Sequence, residues 1–159
     1  MRGTDYEFSL PDGWTPSSEA GGPAAPGGAL DVQIVRDGNR GIQPTINVIA
    51  AEPRRSLQDL AAETLGGIRA DPAVMGLPAG TRTGRPSSLG SLQIDGERAL
   101  RYSVIADFEG QRLRLQQIVV SRGDSAYVIS LTTDRGGAAA GEEGLDQALA
   151  TWTWDFDPK

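Results

Sequence analysis

The chain contains no cysteine and no histidine, and its only lysine is the last residue, Lys159. Without cysteine there is no disulfide, no thiolate nucleophile and none of the usual structural zinc cages. Without histidine the commonest general base and the commonest metal ligand are missing too. A serine nucleophile would need a lysine or an N-terminal amine as its base, and a terminal lysine is badly placed for that, so serine-hydrolase chemistry is not expected. Long apolar runs are also absent: no window approaches the roughly 20 apolar residues of a membrane helix, and no apolar signal core opens the chain. Met1-Arg2-Gly3 reads either as a native start or as an initiator set where a signal or lipid anchor was trimmed. The formal charge is -6 and no basic cluster exceeds Arg54-Arg55, so a nucleic-acid partner is not expected.

What is present is a chain of 159 residues, a size that one domain usually fills. Residues 1–159 are therefore read as one domain with a flexible Gly/Pro-rich loop at 16–29, where apolar anchors are few. Tyr6, Phe8 and Leu10 alternate with polar residues over 5–10, giving a strand that ends in the turn Pro11-Asp12-Gly13 and returns Trp14 toward the fold. Alternation and β-branched residues predict strands over 30–35 and 45–50, with turn chemistry at Asp37-Gly38-Asn39. Ser56 followed by Asp59 is a capping-box-like start, and Leu57, Leu60, Ala61, Thr64, Leu65 and Ile68 predict an amphipathic helix over 57–69. The proline- and glycine-rich stretch 71–90 reads as a long surface connection.

Three turns then organise the rest: Asp95-Gly96, Glu109-Gly110 and Gly123-Asp124. They predict strands over 92–94, 98–108, 111–121 and 126–132. With Glu109-Gly110 central, Ala106 faces Leu113, Val104 faces Leu115 and Tyr102 faces Gln117, and Val119 faces Val128. The other face collects Ile105, Ile118, Val120, Tyr127, Ile129 and Leu131. A sheet apolar on both faces needs a cover on each, so helices are expected on both sides. The second helix is predicted over 142–150, with Glu142 and Glu143 in its first turn, followed by a closing strand over 152–156.

Chemistry-bearing patterns are sparse. Asp107 and Glu109 could in principle form a carboxylate pair, but they flank a hairpin tip and read as a solvated turn with Asp107 paired to Arg112. Asp37-Gly38-Asn39 lacks the later ligands of a calcium loop. No glycine pair opens a nucleotide loop, and Arg122-Gly123-Asp124 reads as turn chemistry rather than an adhesion signal. Arg101, Arg112 and Arg114 project from one face and are the candidate binding residues, a small basic patch for an acidic partner. Their bland reading is cross-strand pairing, with aliphatic stems lying over the sheet. Trp14, Trp152 and Trp154 are expected in the core rather than in a ligand wall.

Phe8 to Trp14, Ile46-Asn47-Val48, the helix opened by Ser56-Leu57, Gly96-Glu97-Arg98-Ala99 before a strand carrying Tyr102, Tyr127 to Thr132, and the aromatic closing strand together resemble the Mog1/PsbP-like superfamily. Within it, the small bacterial lipoproteins of the LpqN/DcrB type are the most similar group. The resemblance implies an α+β fold, a Mog1/PsbP-like α/β/α sandwich with a central antiparallel sheet of about six strands flanked by helices on both faces. It also implies a non-catalytic bacterial accessory protein, the soluble part of an envelope lipoprotein, extracytoplasmic or envelope-associated, that binds another protein or an apolar ligand. The alternative is a cytoplasmic chaperone of secreted effectors. No enzyme activity, cofactor or metal is expected. The lipobox cysteine of such lipoproteins is missing, and no family binding residue maps onto a position here.

Overall fold

The computed structural model describes residues 1–17, 28–38, 41–53, 56–71, 77 and 80–155. In chain order the strands are β1 (Tyr6–Glu7), β2 (Trp14–Pro16), β3 (Ala29–Arg36), β4 (Thr45–Ala51), β5 (Arg82–Thr83), β6 (Ser87–Ile94), β7 (Glu97–Phe108), β8 (Gln111–Arg122), β9 (Ser125–Asp134) and β10 (Thr153–Trp154). Helix α1 (Leu57–Ala70) follows β4, and α2 (Ala138–Ala150) follows β9.

The long alternating strands form the middle of the main sheet, and their register is the one the sequence predicts. Ala106 faces Leu113, Val104 faces Leu115, Tyr102 faces Gln117 and Val119 faces Val128. The tip that fixes this register is Glu109-Gly110, with φ of 50° and 78°, the paired positive values a tight two-residue hairpin turn requires. Asp95-Gly96 repeats the device between β6 and β7, with φ of 44° and 84°. The order across the sheet is β2-β3-β4-β9-β8-β7, and both β5 and β6 pair antiparallel with the far edge of β7.

This corrects three expectations. The main sheet has eight strands rather than about six, because short edge strands form at Trp14–Pro16 and Arg82–Thr83 where no alternation announces them. The stretch 71–90 is not all connection: β5 and the first half of β6 lie inside it. The segment 5–10 is not a strand of the main sheet either; only Tyr6–Glu7 is extended, and it pairs with β10 in a separate two-stranded sheet, Tyr6 opposite Trp154. Of the 16–29 loop, residues 18–27 lie outside the described residues, as do Asn39, Arg54-Arg55 and the last residues of the predicted closing strand from 156.

The expected α/β/α sandwich, with helices flanking both faces, is not what forms, and cover over the two faces is thinner. Two helices are described, and neither spans the sheet. Leu60, Ala61 and Ile68 of α1 join a cluster with Val104, Leu113, Leu115, Val119 and Val128. Leu145 and Ala148 of α2 join the opposite cluster, yet most of its cover comes from Tyr6, Phe8, Trp14, Trp152 and Trp154, all brought by the chain ends and by β2. Helix α1 begins as expected: the Ser56 hydroxyl accepts from the Asp59 amide at 3.1 Å and donates to the Asp59 carboxylate at 2.8 Å. Helix α2 starts a turn earlier than Glu142, at Ala138, so no acid sits in its first turn. Its alanines favour helix strongly, and the cap comes from outside it, the Asp134 carboxylate accepting from the Gly137 amide at 2.7 Å.

Candidate functional site

Among the described residues no cluster of three or more carboxylates gathers as a metal cage would. Asp107 and Glu109 sit exposed beside the β7–β8 tip, as expected, and form no enclosed pair. Arg122 of the Arg-Gly-Asp tripeptide folds back instead of projecting: its guanidinium lies 5.6 Å from the Trp154 ring centroid and 3.6 Å from the Glu97 carboxylate.

The three candidate arginines occupy one face of the β7–β8 hairpin, the face on which α2 sits. Down this face the cross-strand pairs are Arg101–Ile118, Ser103–Gln116, Ile105–Arg114 and Asp107–Arg112. Side chains reach diagonally to the next pair. Arg101 donates from Nε at 2.9 Å and from Nη2 at 2.5 Å to Gln116 Oε1, and Arg114 donates from Nε to Ser103 Oγ at 3.2 Å. Helix α2 completes the set through Glu142, whose Oε1 accepts from Arg114 Nη1 at 2.7 Å and from Gln116 Nε2 at 2.8 Å. Gln116 is 2% exposed, so its amide, acceptor on one side and donor on the other, is what makes this polar row tolerable under the helix.

Arg101 and Arg114 are therefore joined in one network, and Arg112 is not part of it. Arg112 stands exposed opposite Asp107, but the predicted ion pair between them does not form. Instead Arg112 lines a shallow open depression of about 460 Å³ with Arg82, Thr83, Gly84, Ile105, Ala106 and Asp107. Ile105 was grouped with the buried face; it is 38% exposed, because α2 lies over β9 and leaves this corner of the sheet uncovered. Gln116, Ser103 and Glu142 were not singled out from the sequence. The signal available was Ser103 and Gln116 in register between Arg101 and Arg114 on one face; the helix partner had none.

At the other end of the molecule the tryptophans behave as core. Tyr6 stacks on Trp152 at 4.2 Å between centroids, Phe8 stacks on Trp152 at 5.3 Å, and Trp154 meets Trp152 edge-on at 5.5 Å. Trp154 Nε1 donates to the Ile94 carbonyl at 3.1 Å, and the Tyr127 hydroxyl donates to Asp5 at 2.7 Å. Two polar atoms in this cluster, the Tyr6 hydroxyl and Trp152 Nε1, have no hydrogen-bond partner among the described residues. Burial raises the pKa of Tyr6 far above the ordinary phenol value, and the nearby Asp31 carboxylate, both of whose oxygens are engaged by Thr4, adds to the shift. Burial also raises Tyr127, reinforced by its bond to Asp5.

No family model and no curated protein matches this sequence. Solved structures do. LpqN of Mycobacterium tuberculosis, involved in cell envelope biogenesis, superimposes with a TM-score of 0.61 at 17% identity, over 96% of this chain and 84% of that one. CyanoP, the PsbP of Synechocystis sp. PCC 6803, gives 0.59 at 13% identity over 94% and 86%. This is a PsbP-like fold. A third match, PA94 of Pseudomonas aeruginosa, a protein of unknown function described as a putative regulator, gives 0.53 at 18% identity over 80% and 81%. The resemblance to LpqN and PsbP stated from the residues is thus found again in three dimensions.

Proposed function

We propose that this protein is a non-catalytic accessory protein, acting as a single domain over residues 1–159, that binds another protein through the uncovered corner of the α2-side sheet face. The observation that carries the proposal is the depression at that corner. An exposed isoleucine, Ile105, lies there beside Arg82 and Arg112, two guanidinium groups without an ion pair among the described residues. An apolar anchor beside unpaired arginine is the composition that interface hot spots favour. Arg101 and Arg114 border the same corner, held by Gln116, Ser103 and Glu142. The likeness to LpqN and CyanoP supports a bacterial setting and, through LpqN, association with the cell envelope. The chaperone alternative has less to favour it: among the described residues the exposed large apolar side chains are Leu10, Leu89 and Ile105, on three separate segments, which make no cradle for a hydrophobic segment.

A photo-crosslinking residue placed at Ile105 and used in the native host tests the proposal. A discrete adduct that disappears in Arg112→Glu, and that the same residue at Leu10 does not give, is the expected result. Identical adducts from both positions, unchanged by Arg112→Glu, would refute it.

A further inference from the structure

The main sheet has two edges, and they are finished differently. At one end lies β2, three residues long, with Trp14 buried and Pro16 unable to donate a hydrogen bond. At the other end lies β6, eight residues reading Ser-Ser-Leu-Gly-Ser-Leu-Gln-Ile. It contains no charge and no proline, and among the described residues it pairs with β7 alone. Proteins usually blunt an edge of this length with lysine, proline or an inward charge. Among the described residues the edge is interrupted by a bulge between Ser88 and Ser91, where Gly90 takes a φ of 89°, and closed at its end by the Trp154 indole on the Ile94 carbonyl. Beyond the bulge, Ser91, Leu92, Gln93 and Ile94 pair in unbroken register with Leu100, Ala99, Arg98 and Glu97. The Ile94 carbonyl already accepts from Trp154 Nε1, so the edge that can take an added strand runs from Ser87 to Gln93.

Charge surrounds this neutral edge. Of the nearest carboxylates, Glu97 is paired with Arg122 at 3.6 Å and Asp95 accepts from the Trp154 amide at 3.0 Å. Arg82 and Arg85 precede β6, Arg98 faces Gln93 across the pair, and all three are exposed and without an ion pair among the described residues. Leu89, 44% exposed at the bulge, adds an apolar contact.

We infer that β6 is a docking edge for an extended, acidic segment of a partner protein, which adds to the sheet as a further antiparallel or parallel strand. Main-chain hydrogen bonds would supply the affinity, and Arg85 and Arg98 would select carboxylates along the incoming strand. A second copy of this chain is the less suitable occupant, because it would bring the same arginines to the same edge. The inference rests on the reading of this chain as a binding protein, but uses a different surface from the Ile105 depression.

The test is a titration of isotope-labelled protein with an acetylated ten-residue peptide alternating glutamate with valine and threonine, followed by NMR. Shift changes and slowed amide exchange confined to residues 87–93 are expected. The same peptide with alternate amides N-methylated should bind at least about tenfold more weakly, as should the parent peptide to an Arg85→Glu, Arg98→Glu double variant. Equal affinity for the methylated peptide would overturn the inference by showing charge contact alone. Shifts that miss β6, or a peptide-free dimer with β6 amides already protected, would overturn it as well. Loss of the Ile105 crosslink with peptide binding intact would sink the proposed function and leave this inference standing.

Discussion

The aromatic end and the arginine corner lie on the same face of one sheet, and they handle polar atoms in opposite ways. At the aromatic end five rings pack together, four of them on β1, on β10 or beside them, and the cluster buries a tyrosine hydroxyl and an indole nitrogen with no partner among the described residues. At the arginine corner every polar atom of Gln116 that is buried finds a partner, while Ile105 stays exposed. The first region accepts a polar cost because stacked aromatic area outweighs it; the second keeps its polar groups satisfied and leaves apolar surface in water. Stability is concentrated in one region and accessible surface in the other.

The strongest way to break this contrast is Trp152→Ala. The ring stacks on both Tyr6 and Phe8, so its loss should cost about 3–5 kcal/mol in urea unfolding; a cost below about 1 kcal/mol would show that the chain ends contribute little. Next comes Gly144→Ala in α2. A Cβ there would overlap the Trp14 indole, and the resulting overpacking should lower stability by about 1–3 kcal/mol without changing the fold by circular dichroism.

Tyr6→Phe sharpens the comparison by removing only the unpartnered hydroxyl. At neutral pH the change should be neutral or stabilising by up to about 1 kcal/mol, since a buried group without a partner is lost. The same variant reports on alkaline behaviour. The folded-state pKa values of Tyr6 and Tyr127 are raised, so the folded protein keeps protons that the unfolded chain releases above about pH 10. Stability from these groups is present below pH 10 and is lost as pH rises beyond it. Thermal melting measured from pH 8 to pH 11 should fall at the alkaline end, and less steeply in Tyr6→Phe.

The smallest expected effect belongs to the arginine corner. Arg114→Ala breaks a partly exposed pair with Glu142 and should cost no more than about 1 kcal/mol, and Arg112→Glu should stay within about 0.5 kcal/mol. A cost above about 2 kcal/mol for either would place this corner with the core and erase the contrast.

Much of the sheet was legible in the residues. The β7–β8–β9 register followed from alternation plus the Glu109-Gly110 turn, because a period of two and a two-residue hairpin leave one alignment. The Ser56 cap was legible for the same local reason. The candidate site was legible only in part. Arg101, Arg112 and Arg114 were correctly placed on one face, but nothing near them in sequence says that Glu142 lands on Arg114 or that Asp107 leaves Arg112 unpaired. The first half of β6, before the predicted strand over 92–94, hid in a stretch rich in serine, glycine and proline, since an exposed edge has no buried side to impose alternation.

Local sequence alone determined the turns, the alternating central strands, the α1 cap and the absence of thiol and imidazole chemistry. These rest on backbone conformation, periodicity and side-chain chemistry, which act over a few residues. Tertiary structure alone decided that Tyr6 pairs with Trp154 instead of joining the main sheet, that Ile105 is left uncovered, and that β6 becomes the open edge. Each of those outcomes depends on where α2 and the two chain ends come to rest. That is set by competition for apolar area across the whole sheet, which no short stretch of residues encodes.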